Sequence, residues 1–141
     1  MPGVEIHAAG ALPAESSPAP LPRPGAAVAM ARGLRQRCPR CGRGGLFRRY
    51  LKPVGTCPSC GEALGHIRAD DAPPYFTIAI VGHLVVPLVM FSERFLAPPT
   101  WLHLAVWPAL TLILTCGLLP LVKGTLIGLM WHLRLRGDEH Q

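Results

Sequence analysis

The sequence predicts an α-helical membrane hairpin of two transmembrane helices, with a small β module before it and a disordered N-terminal tail. Three observations predict it. Two long runs after Pro74 carry no charge. Four cysteines arrive as two copies of one turn, Cys38-Pro39-Arg40-Cys41-Gly42 and Cys57-Pro58-Ser59-Cys60-Gly61. The residues before them are rich in proline, alanine and serine. Composition agrees: of 141 residues 50% are hydrophobic and only 16% charged, against about 25% charged in soluble domains.

Residues 1–31 hold Pro2, Pro13, Pro18, Pro20, Pro22 and Pro24. Proline blocks helix and sheet, and few of these side chains could form a core. The reading is a disordered tail. A secretory signal is not expected, because no basic start leads into an apolar run.

Residues 32–69 form the cysteine module. The stretch from Gly44 to Gly55 has glycines at both ends and aromatics inside, which suits two short strands and a turn. Fewer than 40 residues bury too little apolar area to fold without a staple. The spacing C-x2-C-x15-C-x2-C is that of a four-thiolate zinc site, and makes this a zinc-ribbon-like module. Cys38, Cys41, Cys57 and Cys60 fill all four positions, so the expected zinc is structural rather than catalytic. Iron in a rubredoxin-like centre and a pair of redox dithiols are the competing readings of the same thiols.

Residues 70–141 form the hairpin. The first span covers about 75–92 and the second about 101–122, both uncharged over their cores and long enough to cross a bilayer. Pro108 and Pro120 predict a kink in the second span. Apolar character persists to about residue 134. A straight helix over that whole length would measure about 50 Å, more than the hydrocarbon core. It must protrude, or bend near Pro120 and lie in the interface, which Trp131 and Arg134 would suit. Asp70 and Asp71 are placed to cap the first helix. Gly117, Gly124 and Gly128 share one helical face and permit close packing. His83 should find a carbonyl or threonine partner, because an ionisable group inside a span is costly alone.

Net charge is +6, concentrated before the spans. Arg32, Arg35, Arg37, Arg40, Arg43, Arg48, Arg49 and Lys52 occur with no acidic residue among them. Such a cluster seeks an anionic surface. Its place before a span favours lipid headgroups or a membrane-protein partner. Nucleic acid, with Phe47 and Tyr50 stacking on bases, ranks below both. Basic residues flank both spans on one side, so both termini are expected in the cytoplasm. No catalytic constellation and no small-molecule substrate site stand out, so an enzyme is not expected.

The parts taken together resemble a known family. Arg32 to Phe47 reads Arg-Gly-Leu-Arg-x-Arg-Cys-Pro-Arg-Cys-Gly-x-Gly-x-Leu-Phe. It is followed by Cys-Pro-Ser-Cys-Gly, Ala-Asp-Asp-Ala-Pro-Pro-Tyr-Phe (Ala69 to Phe76), Pro-Leu-Val-Lys-Gly (Pro120 to Gly124) and Trp131. Over about residues 32–133 this resembles the bacterial family called domain of unknown function 983. The resemblance implies a small, multi-pass inner-membrane protein with a zinc-ribbon-like head. Some members are encoded beside cytochrome oxidase assembly genes, which implies an accessory role in building that complex. Pro74-Tyr75 departs from the small residue and phenylalanine expected there.

Overall fold

A computed structural model describes residues 22–135. The elements run α1 (Ala26–Leu34), β1 (Phe47–Arg49), β2 (Lys52–Pro53), α2 (Ala72–Phe95) and α3 (Thr100–Leu133). Two long apolar helices pack side by side, and a small cysteine-bearing head sits at one end. The expected tail lies outside the described residues as far as residue 21.

The boundary of that tail needs correction, because α1 begins at Ala26. Past Pro24 no proline interrupts Ala-Ala-Val-Ala-Met-Ala-Arg, all tolerated or favoured in a helix. Its end is well closed. Gln36 takes a left-handed φ of 57°, and the N–H groups of Gln36 and Arg37 return to the carbonyls of Gly33 and Arg32. That is the double closure of a Schellman motif. Nine residues are too few to hold a helix alone in water, so α1 depends on what it packs against.

Its partner is α3, and the fit is made of small residues. Ala29 and Gly33 on α1 face Gly128 and Gly124 on α3, each pair one helical turn apart. A Cβ on Gly33 would come within 2.8 Å of the Gly124 carbonyl carbon, and one on Gly128 within 2.9 Å of that of Ala29. The two backbones therefore touch, running antiparallel. Gly124 and Gly128 pack as expected, but against α1. Gly117 does not: nothing lies within 4 Å of a Cβ placed there.

Helix α3 runs unbroken for 34 residues, about 50 Å. Its last turns protrude beyond the hairpin and carry the head. Trp131 is correspondingly buried, at 4% exposure, rather than interfacial. It joins Ile127, Ala29, Leu46, Leu64 and Ile67 in one core shared by α1, α3 and the cysteine module. Over the spans the pattern inverts. Leu104 is 71% exposed and Ile113 is 69% exposed, so these are not core helices of a globule. Both helices are long and apolar enough to cross a membrane.

One ion pair and one histidine–carboxylate contact link the two sides of the hairpin. Lys123 Nζ lies 3.2 Å from Asp70, and His103 Nε2 lies 3.0 Å from Glu93. Trp107 Nε1–H donates to His103 Nδ1 at 2.7 Å, which leaves the proton on Nε2 to face Glu93. His103 and Lys123 stand about 30 Å apart along the α3 axis.

Asp71 holds the N-cap position of α2 but makes no side-chain cap bond. The reason lies in the next residues. A cap accepts from the second or third helical N–H, and those positions are Pro73 and Pro74, which have none. Asp70 pairs with Lys123 instead of capping. His83 Nδ1 meets the Ala79 carbonyl at 2.7 Å, one turn back on its own helix.

Candidate metal centre

Each C-P-x-C-G segment folds as one tight turn. The N–H of Gly42 donates to the Cys38 carbonyl at 2.8 Å, and that of Gly61 to the Cys57 carbonyl at 3.0 Å. Both glycines take a φ of 69°, a left-handed geometry that costs glycine nothing. Short bridges, Arg37 with Gly45 and Thr56 with Ala63, close the two turns. Strands β1 and β2 pair antiparallel between them, Phe47 opposite Pro53 and Arg49 opposite Lys52. The two turns thereby face one another.

The four sulfurs then converge, all within 4.8 Å of one another. Cys38 and Cys60 Sγ lie 3.8 Å apart, as do Cys41 and Cys57 Sγ. A tetrahedral metal with bonds of about 2.3 Å to sulfur needs sulfur–sulfur edges of about 3.8 Å. The donor set fits a four-thiolate metal ion with no position left open.

The surroundings prepare the charge. Burial opposes ionisation of Cys41, but the backbone N–H groups of Gly44 and Arg43 outweigh it and bring its thiol down to about 6. Burial pushes the Cys38 thiol up against the pull of the Cys41 and Arg40 N–H groups. Burial likewise raises Cys60. A metal must displace protons from these thiols, so its binding weakens as pH falls. Gly44 lies against the sulfur of Cys57, and a Cβ there would also come within 3.3 Å of Ser59 Oγ. A shallow cavity of about 330 Å³ opens beside the two half-exposed thiols, Cys41 and Cys60.

The basic cluster divides. Arg32 reaches from α1 to the first turn, donating to the Pro39 carbonyl at 3.1 Å and the Arg40 carbonyl at 2.6 Å. Arg37 donates to the Arg43 carbonyl at 3.1 Å. Arg40 pairs with Glu62 at 2.6 Å, and Glu62 also accepts from Trp131 Nε1 at 2.9 Å. Burial alone would raise Glu62. The bonds from Trp131 and Arg40 and the charges of Arg40 and Arg23 instead hold its carboxyl below the usual range. Arg32 and Arg40 are therefore internal fasteners of the head, since turn carbonyls and a half-buried carboxylate require donors. Arg35, Arg43, Arg48, Arg49 and Lys52 stay exposed.

The sequence reading missed α1 and the docking of the β1–β2 turn on α3. The ring of Phe47 lies 3.5 Å from the position of a Gly124 Cβ, and the Tyr50 hydroxyl donates to the Cys116 carbonyl. Pro120 explains the second contact. It has no N–H, so the carbonyl four residues earlier loses its helix donor, and Tyr50 replaces it. The signals were present: Ala29-x-x-x-Gly33 matching Gly124-x-x-x-Gly128, and a proline four residues after Cys116. Tyr50→Phe leaves that carbonyl unpaired and should loosen the turn by about 1–3 kcal/mol. Faster amide exchange over residues 47–53, with metal content unchanged, is the result to look for.

These features define a class: two membrane-length helices carrying a closed four-cysteine centre on a small antiparallel β element. The chain belongs to the family described as "Protein of unknown function (DUF983)", whose model matches residues 47–131. The match covers the second cysteine turn and both long helices, and begins after Cys41. Comparisons with curated proteins and with solved structures found no match.

Proposed function

We propose that this chain is an accessory interaction protein of the bacterial inner membrane, with a structural zinc ion in a cytoplasmic head. The observation that carries the proposal is the sulfur cluster, all four atoms within 4.8 Å and two of its edges at 3.8 Å, which suits a closed tetrahedral metal. A closed centre leaves no coordination site for a substrate, which supports a non-enzymatic role. The separation of the Glu93–His103 contact from the Asp70–Lys123 ion pair, about 30 Å, equals the thickness of a hydrocarbon core. This supports a spanning hairpin with Glu93–His103 at one face and Asp70–Lys123 at the other. The packing of α1 on the far half of α3 supports a head on the same side as the end of α3. The excess of arginine and lysine there supports the cytoplasm as that side.

The head then presents a fixed surface to membrane-protein partners. Assembly of a respiratory oxidase is the specific form we propose, on the strength of the family resemblance alone. Metal analysis of the purified full chain tests the centre. One zinc per chain, no visible colour and thiols that resist alkylation support the proposal. Iron–thiolate absorbance, or thiols that cycle through disulfides, would replace it with an electron-transfer or redox role.

A further inference from the structure

The β1–β2 hairpin carries charge that no acidic side chain among the described residues balances. Arg49 and Lys52 stand directly opposite one another in the pairing register. Like charges at such positions destabilise a two-stranded sheet. Arg48 lies beside them, and together the three line a hollow of about 530 Å³. Among the described residues none of the three forms an ion pair, while Arg40, in the same basic run, is paired with Glu62. A hairpin this short with three uncompensated cations is held by its contacts to α3 and is poised for an anion.

Its height gives the identity of that anion. Tyr50, at the turn, is bound to the carbonyl of Cys116, whereas Lys123 marks the level of the inner ion pair. Seven residues of α3 separate them, about 10 Å along the axis. The turn therefore dips below the Asp70–Lys123 level toward the spans. Phe47, Tyr50, Leu51 and Pro120 form the apolar half of an adjoining hollow of about 200 Å³, which Arg48 and Arg49 also line. On the spanning reading, to which this inference is bound, the Asp70–Lys123 level is the edge of the hydrocarbon core, so the tip of the turn meets the upper acyl chains while β1, whose Phe47 lies beside Gly124, starts at the headgroup level. Long basic side chains anchored there extend back to the phosphates.

We propose that Arg48, Arg49 and Lys52 form a binding site for the headgroup of one anionic phospholipid. The phosphate lies between the cross-strand pair, and the acyl chains run down the face of α3.

The test uses the purified, metal-loaded full chain in neutral detergent, titrated with short-chain phosphatidylglycerol and phosphatidylcholine. The parent should prefer phosphatidylglycerol at least tenfold. Each charge removed should weaken binding about fivefold, so Arg48→Gln/Arg49→Gln/Lys52→Gln together should lose on the order of a hundredfold. Metal content should match the parent, since none of the three touches a thiol, and this guards against misfolding. Arg48→Lys/Arg49→Lys should keep most of the affinity. Equal lipid affinity in the triple variant would overturn the site. So would displacement by inorganic phosphate as effective as by lipid, which would mean a free-anion site. Retention on single-stranded RNA with indifference to lipid would overturn it in favour of nucleic acid. Failure of the parent to float with any vesicle would bring down the spanning reading itself, which loss of lipid preference alone would not.

Discussion

Cys57→Ser should abolish metal binding by the four-thiol cluster and unfold the head while leaving α2 and α3 helical. Structural zinc in small thiolate peptides supplies about 10–16 kcal/mol of folding free energy. The apolar side chains at the centre of this head, chiefly Leu46, Leu64 and Ile67, contribute about 1.5–3 kcal/mol each. Metal loss therefore outweighs the burial that remains. Under a chelator that leaves the parent loaded, the variant should hold less than a tenth of an ion per chain. Amide protection from Leu46 to Leu64 should vanish. A variant that stayed protected without metal would show that α1 and α3 suffice to fold the head.

Gly128→Leu should release α1. The position faces the backbone of Ala29 and Met30, where no side chain can swing aside. Overpacking costs about 1–3 kcal/mol where neighbours can adjust, and backbone adjusts least. A loss of about 2 kcal/mol corresponds to roughly thirtyfold faster amide exchange across Ala29–Gly33. Gly117→Leu is the control, because that glycine faces open space, and should leave α1 untouched. Equal effects at both positions would mean that the small-residue contact does not hold the helix.

The contrast between these two predictions shows what the sequence could say. The four-thiol cluster was legible because each cysteine pair belongs to one five-residue turn with its own glycine. The two long apolar helices were legible because length and absence of charge are local properties. Helix α1 was not, because its stability comes from residues about a hundred positions away. Ala29 and Gly33 become an interface only once topology sets Gly124 and Gly128 across from them. The cap expected of Asp71 failed for a reason visible in the chain, the two prolines that follow Ala72. Trp131 was misplaced because the choice between a bent and a straight α3 could not be made locally. The unbroken helix puts its indole N–H on Glu62.

The position of Trp131 also dictates an order of biosynthesis. The head begins before residue 30, yet its core is completed by Ile127 and Trp131, about a hundred residues further along the chain. The cysteines emerge early but cannot settle into the complete core until the end of α3 has been made. If the two long helices span a membrane as we propose, a chain inserted with α3 reversed would leave Arg40, Glu62 and the first turn on one side and Trp131 on the other. Full closure of the head would then depend on correct insertion, and the metal proposed for it, once bound, would mark a chain whose insertion has succeeded.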